Sequence, residues 1–193
     1  MRKLVELIKG WPGKPLHPPL TDASIGAYTV GVAMLVLGAL GLEEEQMAHG
    51  SLLAIGGGLA LALPTALTGL LDWLDIPKGT PARTTATVHL LVMLSATALF
   101  ALTFITQLDG YEDGSVETLA LAIGVVGEAL LTAGGYIGGT LVFVYGVRVL
   151  KRPNVRMVDA LVPGRAGREP VRELQHDDDT EPPVPRPPGE VDR

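Results

Sequence analysis

Four long stretches without charged residues dominate the chain, at positions 23–42, 46–71, 84–108 and 118–147, the last interrupted only by Glu128. They are 20, 26, 25 and 30 residues long, and a helix that spans a bilayer needs about 20 apolar residues. The pattern predicts an all-α membrane protein built as a four-transmembrane-helix bundle. Frequent Gly, Ala and Thr inside the stretches predict close helix contacts, and their glycine faces permit a homodimer.

The polar remainder divides the chain into three parts. Residues 1–20 are predicted to form a cytoplasmic amphipathic and Pro-rich segment, in which the prolines flanking His17 hold the chain extended rather than helical. Residues 21–150 are the predicted four-helix transmembrane domain. Residues 151–193 are predicted to be a disordered, Pro-rich acidic cytoplasmic tail, because this composition cannot bury a core.

Basic residues are distributed asymmetrically. All fifteen Lys and Arg precede the first stretch, lie between the second and third, or follow the fourth, whereas the other two connections carry only acidic charge. The positive-inside rule therefore predicts that both termini are cytoplasmic. The net charge of −6 sits in loops and tail and does not indicate a nucleic-acid partner. The absence of cysteine excludes disulfides, Cys-ligated zinc and Cys-ligated iron–sulfur clusters.

Two histidines are candidates for a site. His89 lies six residues past Arg83, roughly 9 Å into the membrane at 1.5 Å per helical residue. His17 precedes the first stretch and starts from the same face, so both imidazoles are predicted to meet near the cytoplasmic end of the bundle. They would ligate a haem iron or another metal, or bind a quinone head group. The alternative is that each imidazole hydrogen-bonds a neighbouring helix.

Three carboxylates lie within or at the end of the uncharged stretches. Glu128 lies about 15 Å deep, near the middle of a hydrocarbon core roughly 30 Å thick, and no Lys or Arg lies at that depth. It is either a proton carrier or cofactor contact, or a neutral carboxyl bonded to Thr-rich helix faces. Asp72 and Asp75 end the second stretch, where an ion pair with Arg83 or Lys78 is the favoured interpretation. Walker, His-Glu-x-x-His and Gly-x-Ser-x-Gly motifs are absent, which argues against an ATP-driven pump or a hydrolase.

Several motifs occur together in one order along the chain. These are residues 15–22 leading into the first stretch, residues 62–73 closing the second, Arg83 with His89, residues 131–139, and Gly146 with Val147. In this set the chain resembles the bacterial membrane-protein family called domain of unknown function 2231, over about residues 13–149. The resemblance implies a multi-pass protein of the bacterial inner membrane. It also implies a link to electron transfer, because some relatives continue into a Rieske-type iron–sulfur domain.

This chain departs from its relatives in three places. It has no cysteine and hence no Rieske module, and Met93 and Thr140 stand where relatives often carry Asn and His or Glu. The polar residues that match the family are His17, Asp72, Arg83 and His89, all predicted near the cytoplasmic face.

The leading hypothesis is therefore a bundle whose cytoplasmic-side cluster binds haem b or a quinone in a redox-associated role. The cluster comprises His17, Asp22, Asp72, Arg83 and His89. One alternative is a non-catalytic scaffold or accessory subunit whose tail recruits a redox or other cytoplasmic protein. A second alternative is a proton or ion pathway through Glu128. A non-enzymatic role is favoured.

Overall fold

A computed structural model describes residues 7–11, 13–151, 153–163 and 165. Its helices are α1 (His17–Ala39), α2 (Glu44–Asp75), α3 (Pro81–Thr106), α4 (Leu108–Asp113), α5 (Thr118–Phe143) and α6 (Met157–Leu161). Within these described ranges, α1, α2, α3 and α5 are long and apolar enough to cross a membrane. The prediction of a helical protein with four membrane spans is confirmed.

A small hairpin precedes the first span. Strands β1 (Gly10–Trp11) and β2 (Lys14–Pro15) pair antiparallel, and Gly10 and Gly13 have φ values of 79° and 78°. Glycine adopts such angles without the steric penalty that a Cβ would impose. The Leu16 amide donates to the Lys9 carbonyl, so the hairpin leads directly into α1.

The prediction that His17 lies in an extended segment is wrong. Helix α1 begins at His17, with Pro18 and Pro19 in its first turn. The first amide groups of a helix have no intrahelical acceptor, so proline sacrifices nothing there, and its fixed φ suits the helix. Helix α1 thus begins four residues before the predicted domain boundary at residue 21.

The spans pack as two pairs. Helix α1 packs mainly on α2, and α3 mainly on α5, while contacts between the two pairs are sparser. Tyr28 of α1 stacks on Phe100 of α3, with ring centroids 4.0 Å apart and planes 4° from parallel. These rings join the buried core, which also contains Val32, Leu35, Ile55, Ala96 and Leu131. Outward positions carry large apolar side chains, as on a lipid-facing surface.

Two regions outside the spans are also ordered by side-chain contacts. At the α3–α4 junction, buried Gln107 donates to the Ser115 carbonyl and accepts from the Glu117 amide. Helix α6 falls within the region predicted as a tail, and its buried Asp159 pairs with Arg156 and Arg165. Residues 157–161 of the predicted tail are therefore helical in this structure. The predicted acidic, Pro-rich remainder from residue 166 lies outside the described residues.

Candidate functional site

A cavity of about 410 Å³ lies between the α1/α2 pair and the α3/α5 pair. Four of the five residues predicted to form a cluster line it, namely His17, Asp22, Asp72 and His89. The remainder of the wall is largely apolar, with Tyr28, Leu131 and Met93 among its members. Its size is within the range of ordinary small-molecule pockets, about 300–1,000 Å³.

His17 is fixed to α2. Its Nδ1 lies 3.0 Å from the Thr65 carbonyl oxygen and 3.4 Å from Oγ1 of Thr68. The ring lies over Gly69, where a Cβ would come within 2.6 Å of Cε1. The imidazole therefore occupies space that any other residue at position 69 would fill.

His89 is fixed to α5 in the same manner. Its Nδ1 lies 2.9 Å from the Gly134 carbonyl oxygen. A Cβ at Gly138, one turn later, would lie 3.0 Å from Cε1 of His89. Each helix pair thus contributes one imidazole, and each imidazole is bonded within its own pair.

These bonds determine which ring nitrogen carries the proton and which keeps a lone pair. A carbonyl oxygen only accepts, so Nδ1 of both His17 and His89 carries the proton, and in the neutral ring Nε2 keeps its lone pair. Neither Nε2 has a hydrogen-bond partner among the described residues, and neither belongs to the polar atoms sealed from solvent. The arrangement presents two nitrogen lone pairs to one cavity.

Hydroxyl groups on the α1/α2 wall already donate to the backbone. Thr21 donates to the His17 carbonyl, Ser24 to the Leu20 carbonyl and Thr65 to the Leu61 carbonyl, each one helical turn earlier. Such bonds satisfy the hydroxyl proton within the helix, as expected away from water. Oγ of Ser24 also lies 3.2 Å from Oγ1 of Thr65, so these two hydroxyls are paired with each other as well.

Ion pairs surround the polar end of the cavity. Nε of Arg148 lies 3.1 Å from Oδ1 of Asp72, although not in hydrogen-bond alignment, and Lys9 pairs with Asp75. Nη2 of Arg148 also donates to the Lys9 carbonyl at 2.8 Å and the Gly10 carbonyl at 3.3 Å. The predicted pairing of these carboxylates with Arg83 or Lys78 is wrong, because the end of α5 and the hairpin, rather than the α2–α3 loop, bring cations to them.

Arg83 binds elsewhere. Its guanidinium lies 3.4 Å from the Trp73 ring centroid and donates to the carbonyls of Trp73 and Ile76. Stacking on an aromatic face and several N–H donors suit arginine to this position. Arg83 is not among the residues lining the cavity, so the structure does not bring it together with the other four predicted cluster residues.

Tyr28 lies deeper on the cavity wall. It is 2% exposed, and its hydroxyl has no partner in hydrogen-bond geometry within the described ranges. Thr97, one turn before Phe100 on α3, lines the same deep region. Sequence analysis did not single out Tyr28, since a tyrosine in an apolar stretch reads as core.

Glu128 lies apart from this cavity, at the contact of α5 with α1. Its Oε1 accepts from Oγ1 of Thr29 at 2.9 Å, and its Oε2 is sealed without a partner among the described residues. This contact is the threonine bond that one of the two sequence interpretations anticipates.

Arg148 and Lys9 are the polar residues that sequence analysis missed. A signal for Arg148 exists, because it follows the fourth stretch on the same side as Arg83 and Asp72 under four crossings. Lys9 carries no comparable signal, since its position depends on the hairpin. Asp72 is therefore paired with Arg148, which lies 76 positions later in the chain and also donates to the Lys9 carbonyl.

The described residues fall short of the ligand sets that metal ions need. In the parts of the chain that the structure describes, no three His, Asp or Glu side chains are placed to hold one ion. Two nitrogen ligands are fewer than the three or four that protein zinc sites use.

Comparison with known proteins identifies the membrane part. No curated protein and no solved structure matches the chain. A family model described as "Predicted membrane protein (DUF2231)" matches residues 13–151, which include strand β2, all four spans and every residue of the cavity. The chain belongs to this family of predicted membrane proteins.

Proposed function

We propose that this membrane protein binds a small redox cofactor, a quinone or haem b, between its two helix pairs. The observation that carries the proposal is the pair of imidazoles, His17 and His89, whose Nδ1 atoms are occupied by backbone carbonyls and whose Nε2 atoms have no partner among the described residues. Histidines that ligate a metal, such as a haem iron, usually donate their other ring N–H to a carbonyl or carboxylate in this way. The redox association is supported by the family resemblance.

Optical and thermal measurements test this proposal. Detergent-purified protein should either show a Soret band or gain thermal stability when haem or decylubiquinone is added. The variants His17→Asn and His89→Asn should abolish the effect, because asparagine keeps an N–H near the position of Nδ1 but has no counterpart of Nε2. His49→Gln is the matched control, since His49 contacts the Tyr111 carbonyl outside the cavity. Absence of both a chromophore and a thermal response would refute cofactor binding.

Two other functions follow from different parts of the chain. A scaffold or accessory subunit would use the tail to recruit a cytoplasmic protein, and most of that tail lies outside the described residues. Deleting residues 166–193 should then abolish co-purification of the partner while leaving any cavity ligand bound. A partner that persists after the deletion would count against this role.

A proton pathway through Glu128 is the other alternative. Its support is the carboxyl group itself, which lies within α5 with one oxygen unpartnered. Glu128→Gln removes the titratable group while keeping an acceptor for Thr29. Proton flux into proteoliposomes should fall if Glu128 carries protons, and unaltered flux would eliminate this pathway.

The setting of the protein is also proposed. We infer a bacterial inner-membrane location with both termini in the cytoplasm, which the distribution of Lys and Arg supports. Under this orientation, the polar end of the cavity faces the cytoplasm, because Arg148 and Lys9 lie at the ends of the chain's cytoplasmic segments.

A further inference from the structure

The hydrogen-bonding character of the cavity wall identifies a narrower ligand class. We infer, resting on the proposed cofactor function, that the cavity selects a hydroquinone, the reduced hydroxyl-bearing form of a quinone, which donates to Nε2 of His17 and His89. Three properties of the cavity wall support this class: its balance of donors and acceptors, its charge and its largely apolar surface.

Acceptors predominate on the wall. The two Nε2 atoms are acceptors because both Nδ1 protons are given to carbonyls. The hydroxyl groups of Ser24 and Thr65 are engaged with carbonyls one turn earlier and, at 3.2 Å between Oγ and Oγ1, with each other, so they offer a ligand no free proton. At the two imidazoles a quinone brings only acceptor oxygens and leaves them unpaired, whereas a hydroquinone brings two hydroxyl protons that the imidazoles can accept.

Charge on the wall disfavours an anionic ligand. Arg148 is the basic residue among the lining residues, and its guanidinium is occupied by Asp72 and by the carbonyls of Lys9 and Gly10. Asp22 also lines the cavity and has no cationic partner in the described part of the chain. Haem brings two propionate groups, for which this wall offers no uncommitted cation. A hydroquinone is neutral and meets no such penalty.

The remaining surface suits an uncharged ring with an apolar substituent. Leu90, Met93, Leu131 and Val142 flank the imidazoles between the helix pairs. Burial of apolar ligand surface against such side chains supplies affinity, and the few polar groups supply orientation. Thr97 also lines the cavity, and its hydroxyl lies beside that of Tyr28, so this part of the wall can meet a polar ring substituent.

Three matched probes test this inference on the full-length protein. Decylubiquinol, decylubiquinone and the dimethyl ether of decylubiquinol share one ring and tail but differ in hydroxyl protons. Their affinities are measured by anaerobic equilibrium dialysis against detergent-purified protein. We expect decylubiquinol to bind at least about tenfold more tightly than the other two, as the loss of a buried hydrogen-bond partner predicts. The ether should resemble the quinone, since neither donates.

Variants connect the preference to the histidines. His17→Asn and His89→Asn should each reduce the quinol-to-quinone affinity ratio towards one, while His49→Gln should leave it unchanged. If the native protein binds the quinone as tightly as the quinol, or more tightly, the inferred preference for a hydrogen-bond donor is overturned, while cofactor binding itself stands. A haem Soret band without quinol binding would overturn the ligand class alone. If neither quinol nor haem binds, the proposed function fails together with this inference.

Discussion

Two glycines and two backbone carbonyls decide where the imidazoles of His17 and His89 lie. Gly69 and Gly138 provide the space in which His17 and His89 lie, and a carbonyl on the same neighbouring helix fixes each Nδ1. A histidine on an apolar face is often only a bonded core residue. Here the second nitrogen of each ring remains unpartnered in the described structure, which is the property a ligand requires.

Replacing Gly69 by alanine tests this packing. The added methyl group would lie 2.6 Å from Cε1 of His17, so the ring must move and its bond to the Thr65 carbonyl must break. We expect a loss of about 1–3 kcal/mol in stability, as for other overpacked sites, together with loss of ligand binding. Gly57→Ala in the same helix is the control, because nothing lies within 4 Å of its added Cβ. It should change stability by about 1 kcal/mol or less. Equal effects of the two substitutions, in an unfolding titration, would contradict the packing.

Replacing Tyr28 by phenylalanine should not destabilise the protein, in contrast to Gly69→Ala. Its hydroxyl is buried without a partner among the described residues, while its ring stacks on Phe100. Tyr28→Phe keeps the stack and removes the unsatisfied group, so the free energy of unfolding should be unchanged or increase by about 1–3 kcal/mol. Tyr136→Phe is the control, since Tyr136 is 82% exposed. A marked loss of stability for Tyr28→Phe alone, in thermal unfolding, would mean that the hydroxyl is satisfied.

At the scale of elements, the sequence predicts the spans well because hydropathy is a property of each segment alone. All four helices contain or closely overlap the uncharged stretches, and α2 extends to Asp75 beyond its stretch. The start of α1 is not predicted, because proline permits both an extended segment and a first helical turn. The ion-pair partners of Asp72 and Asp75 also escape prediction, since they depend on where distant helix ends meet.

Arg148 connects three elements and should be important for stability. It follows α5, pairs with Asp72 at the end of α2 and bonds the hairpin backbone, with its own φ at 61°. Arg148→Met leaves the largely buried Asp72 uncompensated, and we expect a loss of about 3–5 kcal/mol. The double variant Arg148→Met/Asp72→Asn should recover most of this loss. Lys151→Met, at an exposed position, should have little effect.

The double-mutant cycle decides between the two interpretations of this pair. Strong coupling in denaturant or SDS unfolding supports a buried ion pair. Additive losses from the two single substitutions would show that Arg148 acts only through the hairpin carbonyls.

At the scale of the whole molecule, a cleft between two helix pairs explains why the candidate residues meet. The sequence predicts that His17 and His89 share one end of the bundle, and the structure places both on one cavity. It does not predict the pairing of helices, which decides that each imidazole is bonded within its own pair. Hydropathy gives the number of spans but not which faces meet.

The orientation in the membrane can be tested by labelling single cysteines, since the chain has no other cysteine to react. The chain contains no cysteine, so single cysteines at exposed Asp113 and Lys78 can be labelled selectively in intact cells. A membrane-impermeant maleimide should label Asp113→Cys directly and Lys78→Cys only after permeabilisation. The reverse pattern would place both termini outside the cytoplasm.

Native mass spectrometry of the detergent-purified protein shows directly whether Nε2 of His17 and Nε2 of His89 bind a ligand in this cavity. The native chain, loaded with decylubiquinol, should carry one added ligand mass. The His17→Asn/His89→Asn variant should remain at the bare protein mass, and His49→Gln should retain the ligand. A native chain that stays bare with both decylubiquinol and haem would show that the cavity binds neither. A double variant that binds them equally well would show that the two imidazoles do not hold the ligand.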